Sequence, residues 1–301
     1  MSYFFTVFTS AFNRADTIGR VYASLKNQTY QDFEWLVVDA GSDDTGRLIE
    51  QWQGEEHAFP IRCFRQENKG KHGAINFGLS KAAGKLFVML DDDDECVPET
   101  LERFKHHWDS IPPEEQGMFA GIGVLAEDED GYVVGDRYPR DVMDSTFQEL
   151  AYVYRVRGEK WWAFSTAALR EFPFPEEPEA RIVPEGMIYH RLTRRYRFRF
   201  VNEILRRYRR DDRQLTKGNP GSHPLGNRIH LAALLDEDIQ WAPYHPELFL
   251  RYAVHYSRFS FHTRSGLVRQ LRGLRRGWAK MLVLIAWPVG LLAYCVDRMR
   301  A

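Results

Sequence analysis

The run Leu86-Phe87-Val88-Met89-Leu90-Asp91-Asp92-Asp93-Asp94-Glu95 (86–95) joins five apolar residues directly to five carboxylates. An apolar run of that length predicts a strand buried on both faces, as in a parallel sheet. Five adjacent carboxylates at its end repel one another unless a cation or cationic ligand compensates them. Hard oxygen donors so arranged suit Mg2+ or Mn2+, which keep waters and bridge to substrate phosphates. The competing account is a solvated acidic loop.

Upstream of this run the pattern alternates. Tyr3–Thr9, Phe33–Asp39 and Ile61–Arg65 read as strands. Between them, Ile18, Val21, Tyr22 and Leu25 mark one helix face, Thr45–Trp52 a second helix and Ala74–Ala83 a third, closed by Gly84. Strands separated by helices of this length predict right-handed βαβ units, a mostly parallel sheet and ligands at the carboxyl ends of the strands. Asp39, followed by Gly41-Ser42, sits at such an end and suits hydrogen bonds from a base or ribose, whereas Ser42 and Asp43 suit ordinary helix capping. Asn68-Lys69-Gly70-Lys71-His72-Gly73 is a flexible turn entering a helix, a setting that favours anions, although no GxxxxGK[ST] loop is present.

Downstream the pattern is less regular. Met118–Ala126 and Gly131–Tyr138 read as a hairpin about the acidic turn 127–130, Trp161–Ser165 and Phe198–Arg206 as strands, and Phe172–Pro178 as a proline-broken loop. Glu185–Arg195 reads as a helix. The Gly/Pro/Ser stretch 218–224 marks a domain boundary, giving an α/β domain over 1–217 and a helical extension over 218–301 with helices at 225–236, 246–262, 265–276 and 280–298.

Composition narrows the class. The chain has 301 residues, 44% apolar and 28% charged, neither disordered nor fibrous, and its three scattered cysteines form no CxxC unit. No HxxxH or HExxH spacing suggests zinc. The N-terminus lacks a basic region followed by an apolar one, which predicts a cytoplasmic start. The overall charge of −1 hides a basic tail, since residues 264–301 carry eight Lys/Arg and one acid, Asp297. Within that tail Met281–Val296 is sixteen residues without a charge, about 24 Å as a helix and short of the roughly 30 Å hydrocarbon core. Cations flank it on both sides, so a peripheral helix on the inner face of the cell membrane is expected rather than a crossing. A buried core helix is the alternative. The arginines Arg191, Arg194, Arg195, Arg197, Arg199, Arg206, Arg207, Arg209 and Arg210 come with no nucleic-acid-reading motif, so a diphosphate or lipid phosphate near Arg209 or Arg210 is expected, or else a solvated face.

TVFTSAFNRADTI (6–18), VVDAGSDDT (37–45), NKGKHGAINFGLSKAAGK (68–85) and LDDDDECVPETL (90–101), in this order, resemble glycosyltransferase family 2. The resemblance implies a GT-A fold, Rossmann-like with a mostly parallel central sheet and here a helical C-terminal extension. It implies transfer of a sugar from a nucleotide diphosphate donor, a UDP-sugar foremost, usually with inversion and with Mn2+ or Mg2+. By position Phe12 and Asp39 would contact the base, Ser10 would supply backbone contacts, and Asn68 and Lys71 would join them, Lys71 near base or phosphate. Asp91-Asp92-Asp93 would be the DxD segment, Asp91 and Asp92 touching the donor and Asp93 with Asp91 holding the metal, in a register open by one position.

Residues 157–212 resemble a subgroup of the family associated with bacterial surface polysaccharide clusters. There Glu185, in Pro184-Glu185-Gly186, stands where the family places its catalytic base; a first-turn acid complementing the helix dipole is the competing account. Trp161 and Trp162 would line the site of a glycan or polyprenyl-linked acceptor, or else belong to the core. Two rivals from other classes are a nucleotidyltransferase, whose Gly-rich Arg-containing loop is absent from 9–17, and a membrane scaffold that binds sugar nucleotides without transfer.

Overall fold

The computed structural model describes residues 2–176, 180, 182–209 and 223–300. β1 (Tyr3–Ala11), β2 (Phe33–Asp39), β3 (Ile61–Arg65) and β4 (Gly84–Met89) alternate with α1 (Ile18–Lys26), α2 (Thr45–Gln53) and α3 (Gly70–Lys81). Every residue of β2 is buried, so its sequence runs apolar instead of alternating. Its one charged interior residue, Glu34, accepts from Thr6 Oγ1 at 2.6 Å and from Arg62 at 2.7 Å. The face of α1 formed by Ile18, Val21, Tyr22 and Leu25 is buried as its spacing predicts.

β1 pairs in parallel with β2 and β4, and β2 with β3. The chain therefore builds outward from β1 through β2 to β3, then returns past β1 to place β4 on its other side. Strand order reverses at the β1/β4 junction, and that reversal opens a crevice at the carboxyl ends of the strands.

The sheet continues with β5 (Glu95–Cys96), β6 (Phe119–Glu127), β7 (Val142–Ser145), β8 (Trp161–Ser165) and β9 (Arg197–Arg207). Its order is β3-β2-β1-β4-β8-β6-β9-β5, with β7 also on β9. β8 runs antiparallel to β4 and β6, whereas β6 and β9 are parallel. β5 pairs antiparallel with the end of β9, aligning Cys96 with Arg206 and Glu95 with Arg207. α4 (Thr100–Asp109) and α5 (Thr166–Arg170) complete this part. The core joins Phe5, Val7, Trp35, Leu86, Val88, Phe104, Ile122 and Trp161.

Two differences from the sequence reading have simple causes. The hairpin after β6 shrinks to a single bridge, Glu127 to Val133, because β6 already has β8 and β9 on its two edges. β5 and β7 carry no apolar run, and their pairing with the long β9 alone makes them strands.

The chain forms two compact units. The first is Met1–Phe147, Val156–Phe174 and Arg191–Asp211; the second is Gln148–Arg155, Pro175–His190 and Asp212–Ala301. The units interleave, so a division at 217/218 leaves out two segments of the second. The linker 218–222 lies outside the described residues. The second unit contains α7 (Pro224–Glu237), α8 (Pro246–His262), α9 (Leu267–Arg272) and α10 (Gly277–Arg300), together with most of the short α6 (Gly186–Leu192). Its apolar centre is Tyr152, Leu235, Phe249, Tyr256, Val283 and Ala286. A helix predicted over 265–276 is only the two turns of α9, which ends at Gly273.

Candidate active site

Three loops meet at the β1/β4 crevice of the first unit. After β1 the chain turns at Asn13, whose φ of 56° is left-handed, a conformation asparagine tolerates. Asn13 Oδ1 accepts from Ser42 N at 2.8 Å, Arg14 N donates to Thr45 Oγ1 at 2.9 Å, and Ala15 N donates to Asp43 Oδ2 at 3.0 Å. These bonds stitch the loop after β1 to the loop after β2. The approach is close enough that a Cβ on Gly41 would lie 2.6 Å from Asn13 N, so position 41 admits only glycine without a backbone shift.

Asp39 ends β2 and is buried. Its Oδ1 accepts from Gly41 N at 2.8 Å. Its Oδ2 has no hydrogen bond, with Arg65 Nε at 3.6 Å as the nearest cationic atom. A buried polar oxygen left unsatisfied costs about 1–3 kcal/mol, and such a position is where a ligand donor is rewarded.

The acidic run carries its own cations. Lys71 Nζ is 2.6 Å from Asp91 Oδ1 and Arg14 Nε is 3.1 Å from Asp92 Oδ1. Asp94, fully buried, faces Arg206 at 3.3 Å and accepts from Arg209 N at 3.0 Å. Arg206 also pairs with Glu159, and Arg209 with Glu95 at 3.1 Å. The requirement for an outside cation is therefore partly met from within. Desolvation alone would raise the Asp91 carboxyl, but Lys71 and then Arg206 hold it below the usual carboxylate range. Burial pushes Asp92 up to about 7 despite Arg14, with Asp91 and Asp93 adding repulsion. Burial likewise pushes Asp94 up to about 7 despite Arg206. Burial is thus the main cost that the acidic run bears, and its internal cations offset only part of it.

Asp91, Asp92 and Asp94 thus each face an internal cation, Lys71, Arg14 and Arg206 respectively, so these pairings do not by themselves fix which two carboxylates of the run would hold a metal. Among the described residues no group of three or more His, Cys, Asp or Glu side chains forms a cage. Mg2+ and Mn2+ commonly take one or two carboxylates together with substrate phosphates, so this donor set fits an ion that arrives with a diphosphate.

Other expected residues fall into place differently. Ser10 is half-buried at the end of β1, and Phe12 beyond it is 52% exposed. Asn68 Oδ1 accepts from Gly70 N at 3.0 Å, shaping the turn that presents Lys71. Trp161 and Trp162 are corrected to core residues. Trp161 is 2% exposed, donates from Nε1 to Met89 O and packs on Phe104. Trp162 is 6% exposed and is enclosed by Phe147, Phe198 and Phe200. Buried rings leave no face for a sugar.

The arginine cluster also resolves. Arg199 pairs with Asp144 at 2.8 Å, Arg207 with Glu127 at 3.1 Å and Arg195 with Glu171 at 2.5 Å. Arg209 lies on Glu95, and Arg210 lies outside the described residues. Arg14, which the sequence did not single out, and Arg206, read there only as one of the arginine cluster, join Lys71 as internal counter-ions of the acidic run. Arg14 stands in the Asn13-Arg14-Ala15-Asp16 turn after β1, where the carboxyl-edge rule pointed. Nothing local to Arg206 marks Asp94 as its partner.

Glu185 belongs to the second unit. It stands just before α6, and its Oε2 accepts from Tyr189 OH, one turn on, at 2.5 Å. The same helix carries His190, whose Nδ1 is 2.5 Å from Asp238 Oδ2. Tyr152 OH donates to that oxygen at 2.9 Å, and Gln148 Nε2 donates to His190 O at 2.7 Å. Asp238 is fully buried, so this network fixes the helix that carries Glu185.

Known proteins resemble this chain in part of its sequence and in its fold. Residues 6–117 match the family described as Glycosyl transferase family 2. An uncharacterized glycosyltransferase of Nostoc sp. is 35% identical over 98 residues, 33% of this chain and 30% of that protein. Among the first curated relatives the chain spans between 14% and 54% of their lengths. Two solved structures share the fold. S. aureus TarS 1-349 in complex with UDP has a TM-score of 0.63 at 16% identity, covering 97% of this chain and 89% of that one. The mannosyltransferase PcManGT from Pyrobaculum calidifontis, in complex with GDP-Man and Mn2+, has a TM-score of 0.59 at 17% identity, covering 99% and 88%. The sheet order and these matches agree: the chain has an α/β GT-A fold, and its residues 6–117 match the model of glycosyl transferase family 2.

Proposed function

We propose that the chain is an inverting, metal-dependent glycosyltransferase of hexosyl type. It moves a sugar from a nucleotide diphosphate donor, a UDP-sugar foremost, to a hydroxyl of a glycan or polyprenyl-linked acceptor in bacterial surface polysaccharide assembly. The observation that carries this reading is a buried Asp39 oxygen without a donor at the end of β2, beside a loop after β1 that Asn13 ties to Ser42 and Arg14 ties to the acidic turn at Asp92. The related structures that hold UDP, or GDP-Man with Mn2+, support it.

In this reading Asp39, Ser10, Phe12 and Asn68 seat the nucleoside, Asp39 Oδ2 accepting from the base. Lys71, already 2.6 Å from Asp91, meets the donor near its phosphates, and Asp92 lines the same turn. Asp91 and Asp93 would hold Mn2+ or Mg2+. When bound, such a cation supplies charge neutralisation for the departing diphosphate. Glu185 takes the proton of the acceptor hydroxyl as that oxygen forms its bond to the anomeric carbon and the bond to the diphosphate breaks. A single displacement inverts the configuration. The work takes place at the inner face of the cell membrane, on the cytoplasmic side, with α10 as the contact. No nucleic acid takes part.

The test is a donor hydrolysis screen with a panel of nucleotide sugars and Mn2+, beside calorimetry with UDP and GDP with and without Mn2+. Turnover of one donor class with nucleotide binding strengthened by Mn2+ is expected. Nucleotide binding without hydrolysis or transfer would favour a scaffold, and no nucleotide binding at all would end the proposal.

A further inference from the structure

α10 carries two opposed apolar stripes. Ala279, Val283, Ala286 and Gly290 recur three and four residues apart and are buried, as is Asp297 beyond them. They pack on α8: a Cβ on Gly290 would lie 2.5 Å from Ser257 Cβ, so the two helices approach closely there. The second stripe points the other way. Trp278, Met281, Leu284, Ile285, Val289 and Leu292 are between 41% and 70% exposed. A helix seated on a water-soluble body ordinarily turns charge outward. Here the outward face holds no charge from Met281 to Val296. The mean hydropathy of the helix's apolar window is 1.9, with only 22% of that window buried.

The one acid is hidden. Asp297 lies on the inner stripe, where Arg258 Nε donates to Oδ2 at 2.6 Å and His262 Nε2 lies 2.9 Å from the same oxygen. Cations take the ends. Arg272, Arg275, Arg276 and Lys280 precede the apolar stretch and Arg298 and Arg300 follow it. Among the described residues none of these six is in an ion pair.

We infer that the outward face of α10 beds into the interface of an anionic bilayer, the helix lying in the membrane plane with its terminal arginines on lipid phosphates. This deepens the membrane contact named above, and its test reads lipid binding rather than sugar transfer. Charge complementarity selects the occupant. Both ends of α10 are basic, so pairing it with α10 of a second copy sets arginine against arginine in either orientation. Anionic headgroups attract both ends. Crossing is opposed from two sides: one cationic cluster would have to pass the hydrocarbon, and Asp297 would have to give up Arg258 and His262 of α8. A helix that keeps one stripe on its protein and gives the other to acyl chains is the monotopic arrangement.

Flotation of the full chain with phosphatidylcholine vesicles, with and without 30% phosphatidylglycerol, is the experiment. At least tenfold more bound protein is expected on the anionic vesicles, falling in 1 M NaCl. The I285E/L292E variant should lose at least tenfold in binding, while its thermal midpoint and its UDP binding by calorimetry stay as in the wild type. Absent binding to anionic vesicles, or equal binding by the variant, would overturn the inference. So would a dimer, seen by sedimentation without lipid, that the variant dissociates. Resistance of the bound chain to carbonate extraction would replace the in-plane arrangement by a span.

Discussion

Arg14 Nε lies 3.1 Å from Asp92 Oδ1 while the Arg14 backbone N donates to Thr45 Oγ1 at 2.9 Å. One residue thus ties the loop after β1 to both neighbouring loops, those after β2 and β4. The consequences can be measured one residue at a time.

Asp93→Asn removes one carboxylate from the proposed metal pair but keeps the shape of the turn. Calorimetry with UDP should show the Mn2+-dependent gain in affinity fall at least tenfold while metal-free binding changes little. An unchanged Mn2+ effect would remove Asp93 from the metal shell.

Glu185→Gln keeps a hydrogen-bond acceptor for Tyr189 and removes the proposed base. Transfer should fall by three orders of magnitude or more, with donor binding within about twofold. If donor binding collapses with it, Glu185 is structural.

Arg206→Met strands the fully buried Asp94. Removing one partner of a buried pair costs about 3–5 kcal/mol, read as a lower urea midpoint. Adding Asp94→Asn to the same chain should restore more than half of the loss, since no buried charge is then left alone. A full loss persisting in the double variant would mean that Arg206 acts through Glu159 instead.

Gly41→Ala puts a methyl group 2.6 Å from Asn13 N. Overpacking of this kind costs about 1–3 kcal/mol, and because the clash is with backbone the loop after β1 must move. UDP affinity should drop several-fold. Wild-type affinity in this variant would show the loop to be looser than its hydrogen bonds imply.

Asp297 responds to acid. Hydrogen bonds from Arg258, opposed by burial and helped by His262, bring its carboxyl down to about 2. A depressed carboxylate contributes stability that is complete above its unfolded value, near 4, and is lost as pH falls toward 2. The second unit should therefore lose stability between about pH 4 and 2, and Asp297→Asn should flatten that part of the titration. An unaltered acid limb would place the sensitivity elsewhere.

Much of the chain was legible because its signals are local. β2, β3 and β8 begin and end where their apolar runs do, and α8 starts at Pro246, a residue suited to the first helical turn. Asp39, Lys71 and Asp91 were reachable because the carboxyl-edge rule needs only strand ends. β5 and β7 were not, because two and four residues become strands only when β9 lies beside them.

Trp161 and Trp162 show the limit most plainly. An aromatic pair in sequence reads the same whether it stacks on a sugar or fills a core, and only the closing of Phe104, Phe147 and Phe198 around it decides. By itself the sequence determined the βαβ order, the loops that meet at the crevice and the charge-free stretch near the C-terminus, all of which rest on periodicity and neighbouring residues. Tertiary structure alone decided that Arg206 sits under Asp94, 112 positions earlier, and that Asp297 turns inward while Ile285 and Leu292 turn out. Those outcomes depend on which surfaces meet after folding, and burial of charge or apolar area is a property of the meeting, not of either segment.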